Sequence, residues 1–179
     1  MSRQFFITGL PRSRTAWFSA YLNAHPYVKC WHDGLNGCAD PEHFVQKMKM
    51  YGTFSDHRIG NADSGLPLAD IHAMFPDAPV VIIHRNFIDS VHSLMEALNL
   101  TNPTDALLDV LNTTKRRLTE LNGLHVGFDE IDERMPDIME WIGVDYDTFT
   151  HEHFRKMKIT TKHLAGDPKT LEWLPFAQS

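Results

Sequence analysis

The chain has little cysteine, no long apolar run and no surplus of positive charge, and each shortage removes a class of protein. Two cysteines in 179 residues, Cys30 and Cys38, supply neither a disulfide framework nor a metal pair. No apolar stretch approaches the roughly 20 residues that a membrane-spanning helix requires. The net charge of −6 argues against a nucleic-acid-binding surface, so affinity for an anion must come from a few local cations such as Arg12, Arg14 and Arg85. There are 11 histidines, but no pair combines helical spacing with a third ligand, so no metal is expected and most of them read as surface residues. Repeats and low-complexity segments are missing as well. The amino terminus, Met-Ser-Arg-Gln, runs straight into an apolar segment and leaves no room for a signal peptide or membrane anchor; a reduced, cytoplasmic protein with no membrane partner is expected.

A hydrophobic share of 42% is enough for one domain over residues 1–179 with a full core. Strand and helix patterns alternate as in an α/β fold with a central parallel sheet of about five strands, right-handed crossovers and helices on both faces. Strands are expected at Gln4 to Thr8, Val28 to Trp31, Arg58 to Ala62, Val80 to Ile83 and His125 to Phe128. Helices are expected from Ser13 to Ala24, Pro41 to Tyr51 with Asp40 as N-cap, Leu66 to Phe75, after the Val80 strand to Leu98, from Pro103 to Leu121, and around Met135 to Ile142. The segment from about 157 to 179 reads as a lid or a loosely packed tail.

Two segments carry chemistry. Directly after Phe5-Phe6-Ile7 comes Gly9-Leu10-Pro11-Arg12-Ser13-Arg14-Thr15-Ala16-Trp17, a strand, a tight turn and a helix start. Unpaired amides and a partial positive charge at a helix N-terminus favour an anion in such a turn, and Arg12, Ser13 and Thr15 add donors. An ATP-type loop is excluded, because Arg14, Thr15 and Ala16 stand where its second glycine, lysine and hydroxyl belong. The second segment is Arg85 to Ser93, at the end of the apolar run Val80 to Ile83. Capping accounts for Asn86 and Asp89. It does not account for Arg85, whose planar fork suits phosphate, nor for Ser93 two turns further along the helix.

The first segment resembles the 5′-phosphosulfate loop of the sulfotransferases, Pro-Lys/Arg-Ser-Gly-Thr-Thr-Trp, at five of the seven positions from Pro11 to Trp17. The second resembles that family's 3′-phosphate motif, Arg-Asn-x-x-Asp-x-x-x-Ser. Weaker matches follow in order at Phe75 to Ala78, Val126 to Ile131 and Trp141 to Val144. The resemblance implies a minimal P-loop-type sulfotransferase that moves a sulfuryl group from 3′-phosphoadenosine 5′-phosphosulfate to a hydroxyl or amine of a small-molecule or glycan acceptor, releasing 3′,5′-phosphoadenosine. It implies that Arg12 neutralises charge on the leaving phosphate oxygen, that Pro11 to Ala16 cradle the 5′-phosphate, and that Arg85 and Ser93 hold the 3′-phosphate. Trp17 matches a residue that stacks on adenine, and it fits a core position equally well. For the acceptor's base the family suggests His32 with Asp33, then Asp63, which lies 22 residues before Arg85.

The chain departs from the family pattern at Arg14, which replaces a glycine, at Ala16, which replaces a hydroxyl, and at Arg155-Lys156-Met157-Lys158, which lacks the glycine of the C-terminal phosphate loop. Three other readings stay open. One is a nucleotide or small-molecule kinase of related fold, which the missing Walker lysine disfavours. The others are a catalytically silent phosphonucleotide-binding module and an unrelated anion-binding α/β domain.

Overall fold

The computed structural model describes residues 3–32, 57–64 and 71–159. Strands Gln4–Gly9 (β1), Val28–His32 (β2), Arg58–Asp63 (β3), Val80–His84 (β4) and Leu124–Gly127 (β5) form one parallel sheet in the order β2-β3-β1-β4-β5. Helices Thr15–Asn23 (α1), Ile71–Met74 (α2), Phe87–Leu98 (α3), Asp105–Glu120 (α4), Met135–Trp141 (α5) and Thr148–Phe154 (α6) surround it. This is the α/β arrangement that the alternating patterns predict.

Side-chain alternation along the central strands builds the layers. Phe5 and Ile7 of β1, with Val81 and Ile83 of β4, face a core made with Trp17, Phe18 and Tyr21 of α1, Ile138 and Met139 of α5 and Phe154 of α6. Phe6, Val80 and Ile82 point the other way and pack against Ile71 of α2, Val91 of α3 and Leu111 and Leu118 of α4. Because both faces of β4 are buried, its sequence is continuously apolar rather than alternating.

Local signals set most helix ends. Asn86 caps α3 by accepting from the Ile88 and Asp89 amides, as expected, and Thr104 caps α4 through the Leu107 amide. Three expectations are corrected. The first helix begins at Thr15 rather than Ser13, because Arg14 takes a left-handed conformation with φ of 61°. The last strand ends at Gly127, where the Glu130 carboxylate accepts the Gly127 amide at 3.0 Å and turns Phe128–Glu130 into a short 3₁₀ segment. Helix α6 was not anticipated; it is short, is capped by Asp147, and buries Phe154 against α1. The helix expected at Pro41 to Tyr51, the start of the one expected at Leu66 to Phe75, and nearly all of the tail lie outside the described residues. No helix among the described residues is long and apolar enough to cross a membrane.

Gly60 in β3 is required by packing. A Cβ there would lie 2.2 Å from the Phe5 ring, which is fully buried and has nowhere to retreat. Gly60→Ala is therefore expected to lower stability by roughly 1–3 kcal/mol in urea unfolding, and shortening the opposing side chain with Phe5→Leu should reduce that penalty.

Candidate anion-binding site

The order β2-β3-β1-β4-β5 sends the chain leaving β1 toward one side of the sheet and the chain leaving β4 toward the other, which opens a crevice beyond the carboxyl ends of these two neighbours. Register places Gly9 opposite Ile83, so the two strands end nearly level. A Cβ on Gly9 would meet the Ile83 carbonyl and the Ser13 side chain, both at 2.8 Å; only glycine lets the loop start so close to β4. The turn closes with the Ser13 amide on the Leu10 carbonyl at 3.2 Å. Arg12 and Arg14 both have positive φ, 72° and 61°. Each left-handed residue with a side chain costs about 1 kcal/mol, so the loop holds strain that its contacts must offset. The first-turn amides of α1 are left without intrahelical acceptors.

The cleft above this loop has a volume of about 520 Å³. Arg12, Arg14, Arg85 and Lys158 line it, and no carboxylate does so among the described residues. A chain of net charge −6 thus concentrates four cations at one end of its sheet. The two sequence motifs are laced together here. Arg85 Nη1 donates to the Arg12 carbonyl oxygen, and the Arg85 guanidinium lies 4.6 Å from the centre of the Phe128 ring. Arg12 Nε donates to Ser93 Oγ at 3.1 Å. Thr15 Oγ1 and His32 Nε2 are 3.2 Å apart on the same wall, to which Pro11 and Ala16 also contribute.

Other expected residues lie elsewhere. Ser13 is fully buried; its hydroxyl is turned toward Gly9 and has no hydrogen-bond partner among the described residues. Trp17 belongs to the core and not to the cleft. It is 2% exposed, donates Nε1–H to the Phe154 carbonyl at 2.9 Å, and stacks on Tyr21 at 5.2 Å between centroids. The reason is helical phase: Trp17 follows Ala16, which faces the cleft, and turns beneath the sheet face occupied by α6. Asp63 is buried at the end of β3, in register with Thr8, and does not line the cleft. Asp33 lies outside the described residues.

Lys158 and Phe128 join the site although sequence reasoning passed over both. Lys158 was set aside because its segment lacks a glycine, while Phe128 read as strand. Among the described histidines His151 is the exception to the surface reading, being 2% exposed. Cys30 is wholly buried, and burial pushes its thiol pKa up, which leaves it protonated and unreactive. A second groove of about 670 Å³ lies at the opposite ends of β4 and β5. Its Asp77, Asp137 and Glu140 make it unsuited to an anion.

No protein-family model and no curated protein matches the sequence. Similarity appears at the level of structure, and it defines the chain as having the sulfotransferase fold. The sulfotransferase from Alicyclobacillus acidocaldarius superposes with a TM-score of 0.58 at 15% identity, over 88% of this chain and 86% of that one. The mouse sulfotransferase SULT7A1, in a structure complexed with PAP, gives a TM-score of 0.55 at 13% identity over 86% of this chain. This chain spans 63% of that protein's chain.

The core placement of Trp17 is testable. Trp17→Phe, which keeps a ring face under Arg14 but loses the bond to Phe154, should lower stability by roughly 1–3 kcal/mol in thermal or urea unfolding. Affinity for 3′,5′-phosphoadenosine, read by calorimetry, should stay within about twofold, whereas an adenine-stacking role would cost about 1–3 kcal/mol of binding.

Proposed function

We propose that this protein is a sulfotransferase that uses 3′-phosphoadenosine 5′-phosphosulfate and moves a sulfuryl group to the hydroxyl or amine of a small-molecule or glycan acceptor. The observation that carries the reading is the convergence of the loop after β1 and Arg85 after β4 on one cleft whose described wall has four cations and no acid. The residues present suit a donor with phosphate at two places. The amides at the start of α1, with Arg12 and Thr15, form one cluster of donors, and Arg85, Ser93 and Lys158 supply a second.

The donor brings an activated sulfuryl group, so the protein's task is positioning and charge neutralisation. Arg12, exposed at the tip of the loop and steadied by Ser93, is suited to neutralise the phosphate oxygen that leaves. Arg85 braces the loop from below through the Arg12 carbonyl and presents the rest of its fork to the cleft. His32 is the base candidate on the cleft wall, with Asp33 beside it in sequence and Asp63 the third choice. The kinase reading is weakened further by the cleft lining, which offers no carboxylate for Mg²⁺ among the described residues.

Calorimetric titration with 3′,5′-phosphoadenosine, set beside ATP with Mg²⁺, tests the donor site. The expected outcome is micromolar binding of the first ligand only, weakened roughly 10- to 100-fold in Arg85→Ala. Preference for ATP would overturn the reading in favour of a kinase. Binding without sulfate transfer to any acceptor would favour the silent module.

The base is identified by turnover with the donor saturating. His32→Asn should lower kcat roughly 10²- to 10⁴-fold while leaving 3′,5′-phosphoadenosine affinity unchanged. A comparable loss in Asp33→Asn or Asp63→Asn, with His32→Asn near wild type, would transfer the role to that carboxylate.

A further inference from the structure

Arg14 stands where the resembling loops have glycine, and the backbone there keeps a glycine-like φ of 61°. A long, flexible cation in that conformation needs external restraint to point anywhere in particular. Two contacts supply it. Arg14 Nη1 donates to Asp132 Oδ1 at 3.0 Å, and the guanidinium lies 4.2 Å from the centre of the Trp17 ring. The other guanidinium donors have no partner among the described residues, and Arg14 lines the cleft.

Asp132 is itself anchored from the core. His151 Nε2 lies 3.5 Å from the same Oδ1, and its Nδ1 is 2.9 Å from the Tyr146 hydroxyl. The His151 ring is buried and meets Trp17 edge-on, so one aromatic cluster seats both Arg14 and the group behind its carboxylate partner. Upstream, the Gly127–Glu130 bond shapes the turn that delivers Asp132, and the same turn carries Phe128 under Arg85. One short segment after β5 therefore restrains two cations on the cleft wall.

We propose that Asp132 is a positioning residue which, backed by His151, holds Arg14 over Trp17 with its free donors toward the cleft, making Arg14 an anion-binding cation that replaces the glycine's backbone role with charge. The proposal rests on the anion site of the sulfotransferase reading. An isolated ion pair of this exposure, with Asp132 45% accessible, ordinarily contributes little. Here the pair restrains a side chain whose remaining hydrogen-bonding capacity is directed at a ligand.

The test is a double-mutant cycle on the full chain, read by calorimetry with two probes, inorganic pyrophosphate and 3′,5′-phosphoadenosine, and with thermal melts in parallel. Asp132→Asn should weaken both probes about 3- to 10-fold. Asp132→Glu, which keeps the charge, should recover most of that loss. In an Arg14→Gly background, which folds without strain at this φ, Asp132→Asn should have no further effect on either probe. Unchanged or tighter binding in Asp132→Asn, or an equal loss in both backgrounds, overturns the proposal and leaves the sulfotransferase reading intact. If the wild type binds pyrophosphate but not the nucleotide, the sulfotransferase reading fails while the Asp132 cycle is still decided by pyrophosphate. If it binds neither, both fall.

Discussion

Parallel pairing of β1 with β4, level at Gly9 and Ile83, is the constraint from which the rest of the site follows. Two adjacent strands that end together release their chains in opposite directions, and whatever follows each strand is forced to share the space between. The pairing is secured from both faces by Phe5 and Ile7 on one side and Phe6 on the other. It also demands glycine at position 9, since the Ile83 carbonyl occupies the space a Cβ would need. With the strands fixed, the loop after β1 can take two left-handed residues, because the Arg85 side chain holds it through the Arg12 carbonyl and Asp132 holds it through Arg14.

The charge distribution follows the same geometry. The protein is acidic overall, yet its carboxylates are kept off the described wall of the cleft; Asp77, Asp137 and Glu140 gather at the other ends of the strands. Asp132 is the acid closest in role to the cleft, and it is committed to Arg14. An anion entering the crevice therefore meets guanidinium and ammonium groups in a partly enclosed space, where their field is screened less than on an open surface.

The cations are also pre-positioned by aromatic side chains rather than by acids alone. Phe128 lies under Arg85 and Trp17 under Arg14. An aromatic face restrains a guanidinium without neutralising it, which leaves its charge and most of its donors for a ligand. That is a reason for Phe128 and Trp17 to matter at the site although neither needs to touch an anion.

Much of the architecture could be read locally. The β-branched run Val80 to Ile83, the Asn86 cap and the amphipathic stripe of Leu107, Leu111 and Leu118 each announce their element through interactions within a few residues. The two motifs were legible for the same reason: a strand followed by donors at a helix start is a short-range pattern. Chain positions far apart were not. Trp17 could equally have faced adenine or the core until α6 brought the Phe154 carbonyl to its indole nitrogen, 137 residues away in sequence. Arg14 gained its partner 118 residues downstream, and Lys158 reached the cleft from a segment whose local sequence gave no sign of it. The sequence by itself determined the strands, the caps and the two phosphate-type motifs, since hydrophobic periodicity and capping act over one or two turns of chain. Only the tertiary structure decided which of the motif side chains face the cleft and which distant groups hold them there, because that depends on strand order and on which helix packs against which face.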